Sequence, residues 1–517
     1  MMVPAVRVPQ PGWRTGGERR TSFLLMAALL LALAVRLYAL DHKTLSFDEL
    51  YSVFVARHPL AQIITLVAQR DAHPPLFYFM LRGWMTFVGD TEFRLRLLSV
   101  LGGLLTVGLT YLLGARLISA QVGLLGAFLL AISPFHVQAS QEARMYPWLA
   151  VWVWTAGLAL FRWVEEGRAR WLLAYGLSTL LALYTHYLAF FVLPGHVLFL
   201  ARTRLSRSRL AMFAACAVGV GVLYLPWVPA LLQQLADGRG WPSFRPPLTL
   251  QTLADLLGLL AFGGRLYGLG TYYTVGTTGF VLTAPLLLPF ALLAAYGIAT
   301  CPSRSSAWFL ALGTLVPLGL AGLVSLRWNV FYSRYFSFVL PAVALALAGG
   351  MWTLAAGFAD KRRALAALLV LPVSSVVPVL SEYYRVPGYG DWRAAARYLD
   401  AHLRPGDIVL FVPASGAEVV TYYLPRRIPS MALDPGEVLA PAATGPGGPL
   451  APRRVQALAA GHPRLWIVAT LPLGYPTRRR LGETLAPHFV EAWGRDFHRV
   501  YLFLWLSRRH QHQESSS

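Results

Sequence analysis

The chain has 517 residues, of which 56% are hydrophobic and 13% are charged, whereas a soluble domain carries about 25% charged residues. This composition excludes an ordinary soluble protein and predicts a polytopic membrane protein. The formal net charge of +21 would suggest a nucleic-acid partner in a soluble protein. Here most basic residues lie in short loops between apolar runs, where they orient the chain in the bilayer and meet anionic lipid, so we expect no nucleic-acid partner.

The first apolar run, from about Ser22 to Leu40, follows a basic N-terminus at residues 1–21. A signal peptide also begins with basic residues, but this run is too long and no small-residue cleavage site follows it. We therefore predict a basic cytoplasmic N-terminus and a retained first transmembrane helix.

The transmembrane domain is predicted to extend over residues 22–380 as a bundle of α-helices. The expected number of spans is about eleven, with about 12–13 as the alternative, because several apolar runs are short for a bilayer. The runs lie near 22–40, 94–114, 117–134, 146–163, 171–187, 188–201, 209–232, 277–300, 306–325, 335–357 and 363–380.

The topology depends on whether the apolar segment 74–88 crosses the membrane. The segment begins with Pro74-Pro75 and contains Arg82, so its composition alone is ambiguous. If it does not cross, the N-terminus and the basic loops share one side of the membrane, as the positive-inside rule requires. If it does cross, the cluster Arg202–Arg209 faces outward. We therefore predict an interfacial or re-entrant helix at 74–88, and long outer loops at 41–93 and 233–276.

The two outer loops differ in pattern. In the first, apolar residues recur at helical spacing over residues 60–67, which predicts a helix lying flat on the membrane surface. The second is rich in Gly, Pro and aromatic residues, and we expect it to cover the functional site.

The composition changes after Leu380, and residues 381–507 are predicted to form a small extracytoplasmic α/β domain. We predict helices near 391–402, 417–424 and 478–486 and strands near 408–412, 465–470 and 489–506. A Pro/Gly loop at 434–452 and a disordered tail at 508–517 complete the chain.

Two adjacent carboxylates, Asp48 and Glu49, follow the first span directly. Acidic residues so close to hydrocarbon are costly and usually functional. A carboxylate there can act as a general base toward an acceptor hydroxyl or amine, and Asp48 is the better candidate, while Glu49 orients it or holds a cation. The alternative is that Asp48 is a helix N-cap, for which aspartate is well suited.

Polar residues of other outer segments could bind a phosphate or a sugar. Two arginines at the outer end of one span are placed to clamp a phosphate, although snorkelling to the interface is the alternative. Arg36, near the outer end of the first span, is a further candidate. The predicted substrate- and phosphate-binding residues are His73, Arg94, Arg96, Glu142, Arg144, His186 and Arg334.

No cofactor is required by this set of residues. A divalent cation on Asp48 and Glu142, with or without Glu49, is compatible with their oxygen ligands, but nothing in the sequence demands a metal. Because carboxylates and arginines gather on one membrane face, the expected ligand is a phosphate carried by a lipid.

Four motifs resemble those of bacterial family 39-like membrane glycosyltransferases with the GT-C fold, in order and spacing. The same motifs are similar to those of protein O-mannosyltransferases, the aminoarabinose transferase of lipid A and Rgt-type lipopolysaccharide galacturonosyltransferases. The motifs are Leu45-Ser46-Phe47-Asp48-Glu49, His73-Pro74-Pro75-Leu76, Arg94-Leu95-Arg96-Leu97-Leu98-Ser99 and Gln141-Glu142-Ala143-Arg144-Met145-Tyr146.

The resemblance implies an enzyme that takes a monosaccharide, a hexose or a pentose, from a polyprenyl-phosphate donor on the extracytoplasmic face of a bacterial plasma membrane. It implies a single inverting displacement with Asp48 as base and cations that stabilise the departing phosphate. The aminoarabinose transferase type has Lys before its Pro-Pro pair, where His73 stands here. The acceptor, a protein, lipid or cell-envelope glycan, stays open.

Two other functions fit parts of the sequence. A transporter or flippase of lipid-linked sugars would use the same basic site, but we find neither the repeated halves nor the intramembrane charges typical of transporters. A membrane anchor for the C-terminal domain explains the spans but not the charges of the outer face.

Overall fold

A computed structural model of the chain describes most of the sequence. The described residues are 16–237, 248–262, 277–328, 330–385, 390–412, 414, 416–424, 428–433, 437–438, 448–470, 475–498 and 500–509. Most of the basic N-terminus, of the outer loop 233–276, of the loop 434–452 and of the tail 508–517 therefore lies outside them. The described chain divides into two compact units, one from residues 1–40 and 58–383 and the other from 41–57 and 384–517.

The chain up to Arg385 is helical, and each of the eleven predicted apolar runs contains a helix. Only α2 belongs to the second unit. In chain order the helices are α1 Gly16–Leu37, α2 Phe47–Ala56, α3 Leu60–Arg70, α4 Leu76–Val88, α5 Glu92–Leu117, α6 Ala120–Ile132, α7 Pro134–Ser140, α8 Tyr146–Glu166, α9 Ala169–Thr185, α10 Ala189–Ala201, α11 Arg207–Tyr224, α12 Val228–Ala236, α13 Leu250–Phe262, α14 Thr277–Ala299, α15 Arg304–Ser325, α16 Leu340–Ala356 and α17 Lys361–Arg385, with 3-10 turns at Leu225–Trp227 and Ser333–Val339.

Within the described residues, six helices are long and apolar enough to cross a membrane, or seven if the bent pair α6–α7 forms one span. Further apolar helices are shorter, among them α10 and the helix predicted at 74–88. Large apolar side chains such as Phe23, Leu223 and Val370 are exposed on this unit, as expected of surfaces that face lipid. The predicted polytopic helical fold is confirmed.

Arg36 hydrogen-bonds to the backbone at the break between α6 and α7. The chain bends there by 65°, at Pro134. Proline lacks the N–H that would continue the helix, so carbonyls of the last turn of α6 lose their usual donor. The guanidinium of Arg36 donates to the carbonyls of Ala131 at 2.9 Å and Leu130 at 3.4 Å and contacts His136 Nδ1 at 2.6 Å. Arg36 is fully buried. It is therefore a structural residue, which corrects its interpretation as a phosphate ligand.

Replacing Arg36 by Met should lower the stability of the protein by about 3 kcal/mol, because carbonyls at the break lose their donor in an apolar interior. The readout is the thermal unfolding midpoint in detergent. Arg363→Met, at a side chain that is 90% exposed, is the matched control and should leave the midpoint in place. Equal midpoints for the two variants would contradict this role of Arg36.

Glycines allow close approach between helices of the first unit. A Cβ on Gly114 of α5 would lie 2.5 Å from Gly123 Cα of α6, and a Cβ on Gly350 of α16 would lie 2.2 Å from the carbonyl oxygen of Leu293 in α14. Such contacts are typical of membrane helices, where packing of small residues drives association.

The end of α3 is held by α12, which follows much later in the chain. The side chain of Gln234 in α12 donates to the carbonyl of Val67 in α3 at 2.9 Å and accepts from the Tyr187 hydroxyl at 2.5 Å. Gln234 is 1% exposed. These bonds hold the end of α3, from which the chain continues through Asp71 and His73 into α4.

The second unit contains a five-stranded sheet with strand order β2-β1-β3-β5-β4. β1 is parallel to β2 and β3, whereas β5 is antiparallel to β3 and β4. The strands and remaining helices are α18 Trp392–His402, β1 Ile408–Val412, α19 Gly416–Tyr423, β2 Ser430–Ala432, α20 Pro452–Gly461, β3 Arg464–Thr470, α21 Tyr475–Leu485, β4 Phe489–Asp496 and β5 Val500–Ser507.

The core of this unit lies against the central strands. Every residue of β1 is buried, as expected of a parallel strand that is covered on both faces. Phe489 and Leu485 pack in the same apolar cluster. All the predicted helices and strands of this domain are present, while β2 and α20 were not predicted. Residues 41–57, which we predicted within the transmembrane domain, group instead with this unit.

Candidate functional site

Asp48 lies in the first turn of α2, whose start is fixed by a capping box. Ser46 is the N-cap, its Oγ accepts from the Glu49 N–H at 3.4 Å, and the Glu49 carboxylate accepts from the Ser46 N–H at 2.7 Å. Glu49 is 1% exposed, while Asp48 is half-buried. Ser46, and not Asp48, therefore caps the helix. The contact of Glu49 fits the predicted orienting role, because its carboxylate fixes the turn that carries Asp48.

In the first unit, Asp71 is the centre of a buried polar cluster just before α4. Its Oδ1 accepts from the Ala72 N–H at 2.6 Å and lies 2.9 Å from His73 Nδ1. The Tyr78 hydroxyl donates to Oδ2 in a short hydrogen bond. Because an ionised carboxylate only accepts, His73 Nδ1 carries a proton. Asp71 was not among the predicted site residues.

Asp71 is ionised at neutral pH. Burial favours its neutral form, but His73, by charge and by hydrogen bond, outweighs this effect with help from Arg144 and Tyr78, so the pKa of the Asp71 carboxyl lies below its usual value. A carboxylate this close favours the positively charged form of His73. Asp71 thus favours the protonated form of the residue that stands before the Pro-Pro pair.

In His186, unlike in His73, the ring nitrogen Nδ1 accepts a hydrogen bond. His186 follows α9, and its Nδ1 accepts from the Leu188 N–H at 3.1 Å, which favours the neutral tautomer with the proton on Nε2. Its ring centroid lies 5.2 Å from that of His73 and 5.1 Å from that of Tyr335. The two histidines are therefore neighbours with different roles at Nδ1, which carries a proton in His73 and accepts a hydrogen bond in His186.

Two arginines meet at Tyr146. Arg334 donates through Nε and Nη2 to the Tyr146 hydroxyl, at 3.2 and 3.1 Å. Arg144 Cζ lies 6.0 Å from the centroid of the same ring, and the Arg144 carbonyl accepts from the Ser99 hydroxyl at 3.0 Å. Tyr146 also lies 5.7 Å from Tyr335, centroid to centroid, and so links the arginines to the histidines.

The structure therefore brings four predicted ligands together. We define the cationic cluster by these four side chains and by the four residues that hold them. The ligands are His73, Arg144, His186 and Arg334, and the supporting residues are Asp71, Tyr78, Tyr146 and Tyr335. Tyr146 and Tyr335 stand beside predicted arginines in the sequence, and Asp71 stands two residues before His73, but no local pattern showed that these residues touch.

Other predicted residues have different surroundings. Arg94 is exposed at the start of α5, whereas Arg96 is 4% exposed and donates to the carbonyl of Leu40 at 2.7 Å. Residues two apart on a helix do not face each other, so these two arginines lie on different sides of α5, and their binding of a phosphate stays a prediction. Glu142 is half-buried and accepts from Gln138 Nε2 at 3.5 Å.

Metal binding stays a prediction. Within the ranges that the structure describes, no group of three or more His, Cys, Asp and Glu residues could hold a metal ion. Of the predicted carboxylates, Glu49 is engaged in the capping box.

Comparison with known proteins agrees with the motifs. Residues 72–232 match the family described as dolichyl-phosphate-mannose-protein mannosyltransferase. The crystal structure of ArnT from Cupriavidus metallidurans in the apo state is 16% identical, with a TM-score of 0.59 over 94% of this chain and 98% of that chain. The chain has the GT-C fold. No curated protein sequence matches it.

Two further structures share this GT-C fold. The same ArnT bound to undecaprenyl phosphate is 14% identical, with a TM-score of 0.56 over 93% of this chain and 98% of that one. The apo oligosaccharyltransferase of Archaeoglobus fulgidus is 14% identical, with a TM-score of 0.55 over 91% and 73% of the two chains. The family match over residues 72–232 and the shared fold agree with the resemblance seen in the motifs.

Proposed function

We propose that this GT-C protein moves a monosaccharide from a polyprenyl-phosphate donor to an acceptor on the extracytoplasmic side of a bacterial plasma membrane. The observation that carries the proposal is the cationic cluster, in which two guanidinium groups lie together with a histidine that is paired with a carboxylate. Such groups are natural ligands of a phosphate. The structure of ArnT with undecaprenyl phosphate supports a lipid-borne donor for this fold.

The proposed reaction is one displacement. Asp48 accepts the proton of the acceptor hydroxyl or amine while the acceptor atom bonds to the anomeric carbon of the sugar. The bond from that carbon to the phosphate oxygen breaks, and polyprenyl phosphate leaves with the electron pair. The cationic cluster stabilises the negative charge that grows on the phosphate. The configuration at the anomeric carbon is inverted.

The test is a panel of labelled sugars offered to membranes that contain the protein. Each sugar is supplied as a polyprenyl phosphate and, in parallel, as a nucleotide conjugate. The proposal predicts a labelled, extracytoplasmic product from at least one lipid-linked donor and from no nucleotide donor. A product formed directly from the nucleotide conjugate would contradict it. The labelled product also identifies the acceptor class.

Arg334 should contribute chiefly to donor binding. Replacing Arg334 by Gln removes a charged guanidinium, and a hydrogen bond from a charged group contributes about 1.5–3 kcal/mol. The KM for the polyprenyl-phosphate sugar should therefore rise about 10- to 100-fold. The measurement is transfer rate against donor concentration. Arg363→Gln, at an exposed arginine, is the control and should keep the wild-type KM. An unchanged donor KM in Arg334→Gln would remove this residue from the phosphate site.

A further inference from the structure

The segment that carries Asp48 is fastened to the C-terminal part of the chain by backbone and side-chain contacts. Arg393 in α18 donates to the carbonyl of Asp41 at 3.0 Å. The Thr44 hydroxyl donates to the carbonyl of Gly390 at 2.5 Å. The residues joined by these bonds are about 350 positions apart in sequence, so the contacts define where the start of the segment lies within this unit.

The contact closest to Asp48 is made by Tyr423, at the end of α19. The Leu45 N–H donates to the Tyr423 hydroxyl at 2.9 Å. Leu45 is fully buried and directly precedes Ser46, the N-cap of α2. This bond therefore fixes the peptide from which the capping box, and with it the turn of Asp48, begins.

The far end of the segment is held as well. α2 packs against α19, and its residues Leu50 and Val53 are almost fully buried. Beyond α2, the Arg57 guanidinium lies 5.2 Å from the ring centroid of Tyr422, within the range of a cation–π contact. Two adjacent tyrosines of α19 thus hold both ends of the helix that bears Asp48.

We propose that the C-terminal domain positions Asp48 for catalysis, with Tyr423 and Arg393 as positioning residues. This inference rests on the proposed function, in which Asp48 is the base. A base must lie within hydrogen-bond reach of the proton that it accepts, and small displacements of a reacting group lower the rate strongly. The domain is then a part of the catalytic apparatus and not a cargo of a membrane anchor.

The test combines Tyr423→Phe with Arg393→Gln in the full-length protein. Tyr423→Phe removes only one oxygen atom, so the fold should be retained. The thermal unfolding midpoint of the double variant should equal that of the control variant Tyr501→Phe/Arg454→Gln. The expected result is a fall in kcat of about tenfold or more with donor KM unchanged. Hydrogen exchange at residues 44–50 should become faster.

The matched control pairs Tyr501→Phe with Arg454→Gln, at positions of β5 and α20 in the same domain, and should keep kcat. An unchanged kcat in Tyr423→Phe/Arg393→Gln, or a fall that the control shares, would overturn the inference. So would a rise in donor KM with kcat unchanged. Failure of the proposed function can be told apart from failure of the positioning role. The first would appear as full activity of Asp48→Asn. An inactive Asp48→Asn together with a fully active Tyr423→Phe/Arg393→Gln contradicts only the positioning role.

Discussion

Asp48→Asn should lower sugar transfer by about 10²- to 10⁴-fold, the usual contribution of a general base. The amide has the shape of the carboxylate, and asparagine is tolerated in the first turn of α2, but it cannot accept the acceptor's proton. Protein abundance in the membrane and donor binding should stay at wild-type values. The measurements are initial transfer rate and binding of a labelled donor to the same membranes.

Two further variants show whether the loss of transfer is specific to the Asp48 carboxylate. Asp360→Asn is the control, because Asp360 caps α17 through Oδ1 and asparagine caps a helix as well as aspartate does; its transfer rate should be that of the wild type. Glu49→Gln keeps the capping box, in which glutamine can replace glutamate. A loss in Glu49→Gln as large as that in Asp48→Asn would place the Glu49 carboxylate in the chemistry, and full activity of Asp48→Asn would exclude Asp48 as the base.

Asp71→Asn should weaken donor binding and change its dependence on pH. The lowered pKa of Asp71 means that its stabilising contribution is present above the ordinary pKa of the carboxyl and is lost only as the pH falls through the lowered folded value. Between about pH 6 and pH 9 Asp71 therefore stays ionised, and the group of the cluster that can titrate there is a histidine. With Nδ1 facing a carboxylate, His73 is the histidine whose positively charged form is favoured.

Donor binding in the wild type should weaken as rising pH removes the proton of His73. Asp71→Asn removes the carboxylate that favours this proton, so the pH at which binding weakens should move about one unit or more toward acid. The surrounding groups are Tyr78, His186, Tyr335 and the permanently charged Arg144 and Arg334. The measurement is donor KM from pH 6 to pH 9, and a wild-type profile in Asp71→Asn would contradict the pairing.

His73→Gln is the second arm of this experiment. It removes the titrating ring and should give a donor KM that is high and nearly independent of pH. If His73→Gln keeps the pH dependence of the wild type, the titrating group lies elsewhere. Tyr398→Phe, at an aromatic residue of the C-terminal domain, is the matched control for assay conditions and should retain the wild-type profile.

Much of the fold follows from local pattern. Apolar runs long enough for a bilayer gave the helices, and alternation between apolar strands and turns gave β1, β3, β4 and β5. The elements that were missed lack such a signal, since β2 has only three residues with exposed ends and is set by its pairing with β1. α20 follows a Pro/Gly-rich stretch that resembles a loop. The formation of β2 and of α20 therefore depends on tertiary contacts and not on local sequence pattern.

The candidate site was predicted by residue type more than by arrangement. His73, Arg144, His186 and Arg334 were selected from separate motifs, and they meet around Tyr146. Arg36 has the same charge and a similar place in the sequence, yet its partners are the carbonyls freed at Pro134, which only the three-dimensional path of α6 and α7 reveals. Asp71 was missed because a single carboxylate in a loop has no distinguishing pattern.

A donor with two labels, one on the sugar and one on the polyprenyl phosphate, distinguishes sugar transfer from transport of the whole lipid. Membranes with the wild-type protein should separate the labels, releasing one polyprenyl phosphate for each sugar transferred, with inverted configuration in the product, and Asp48→Asn should leave the donor intact. Movement of the intact, doubly labelled donor across the bilayer, without separation of the labels, would contradict the proposed sugar transfer and indicate a flippase.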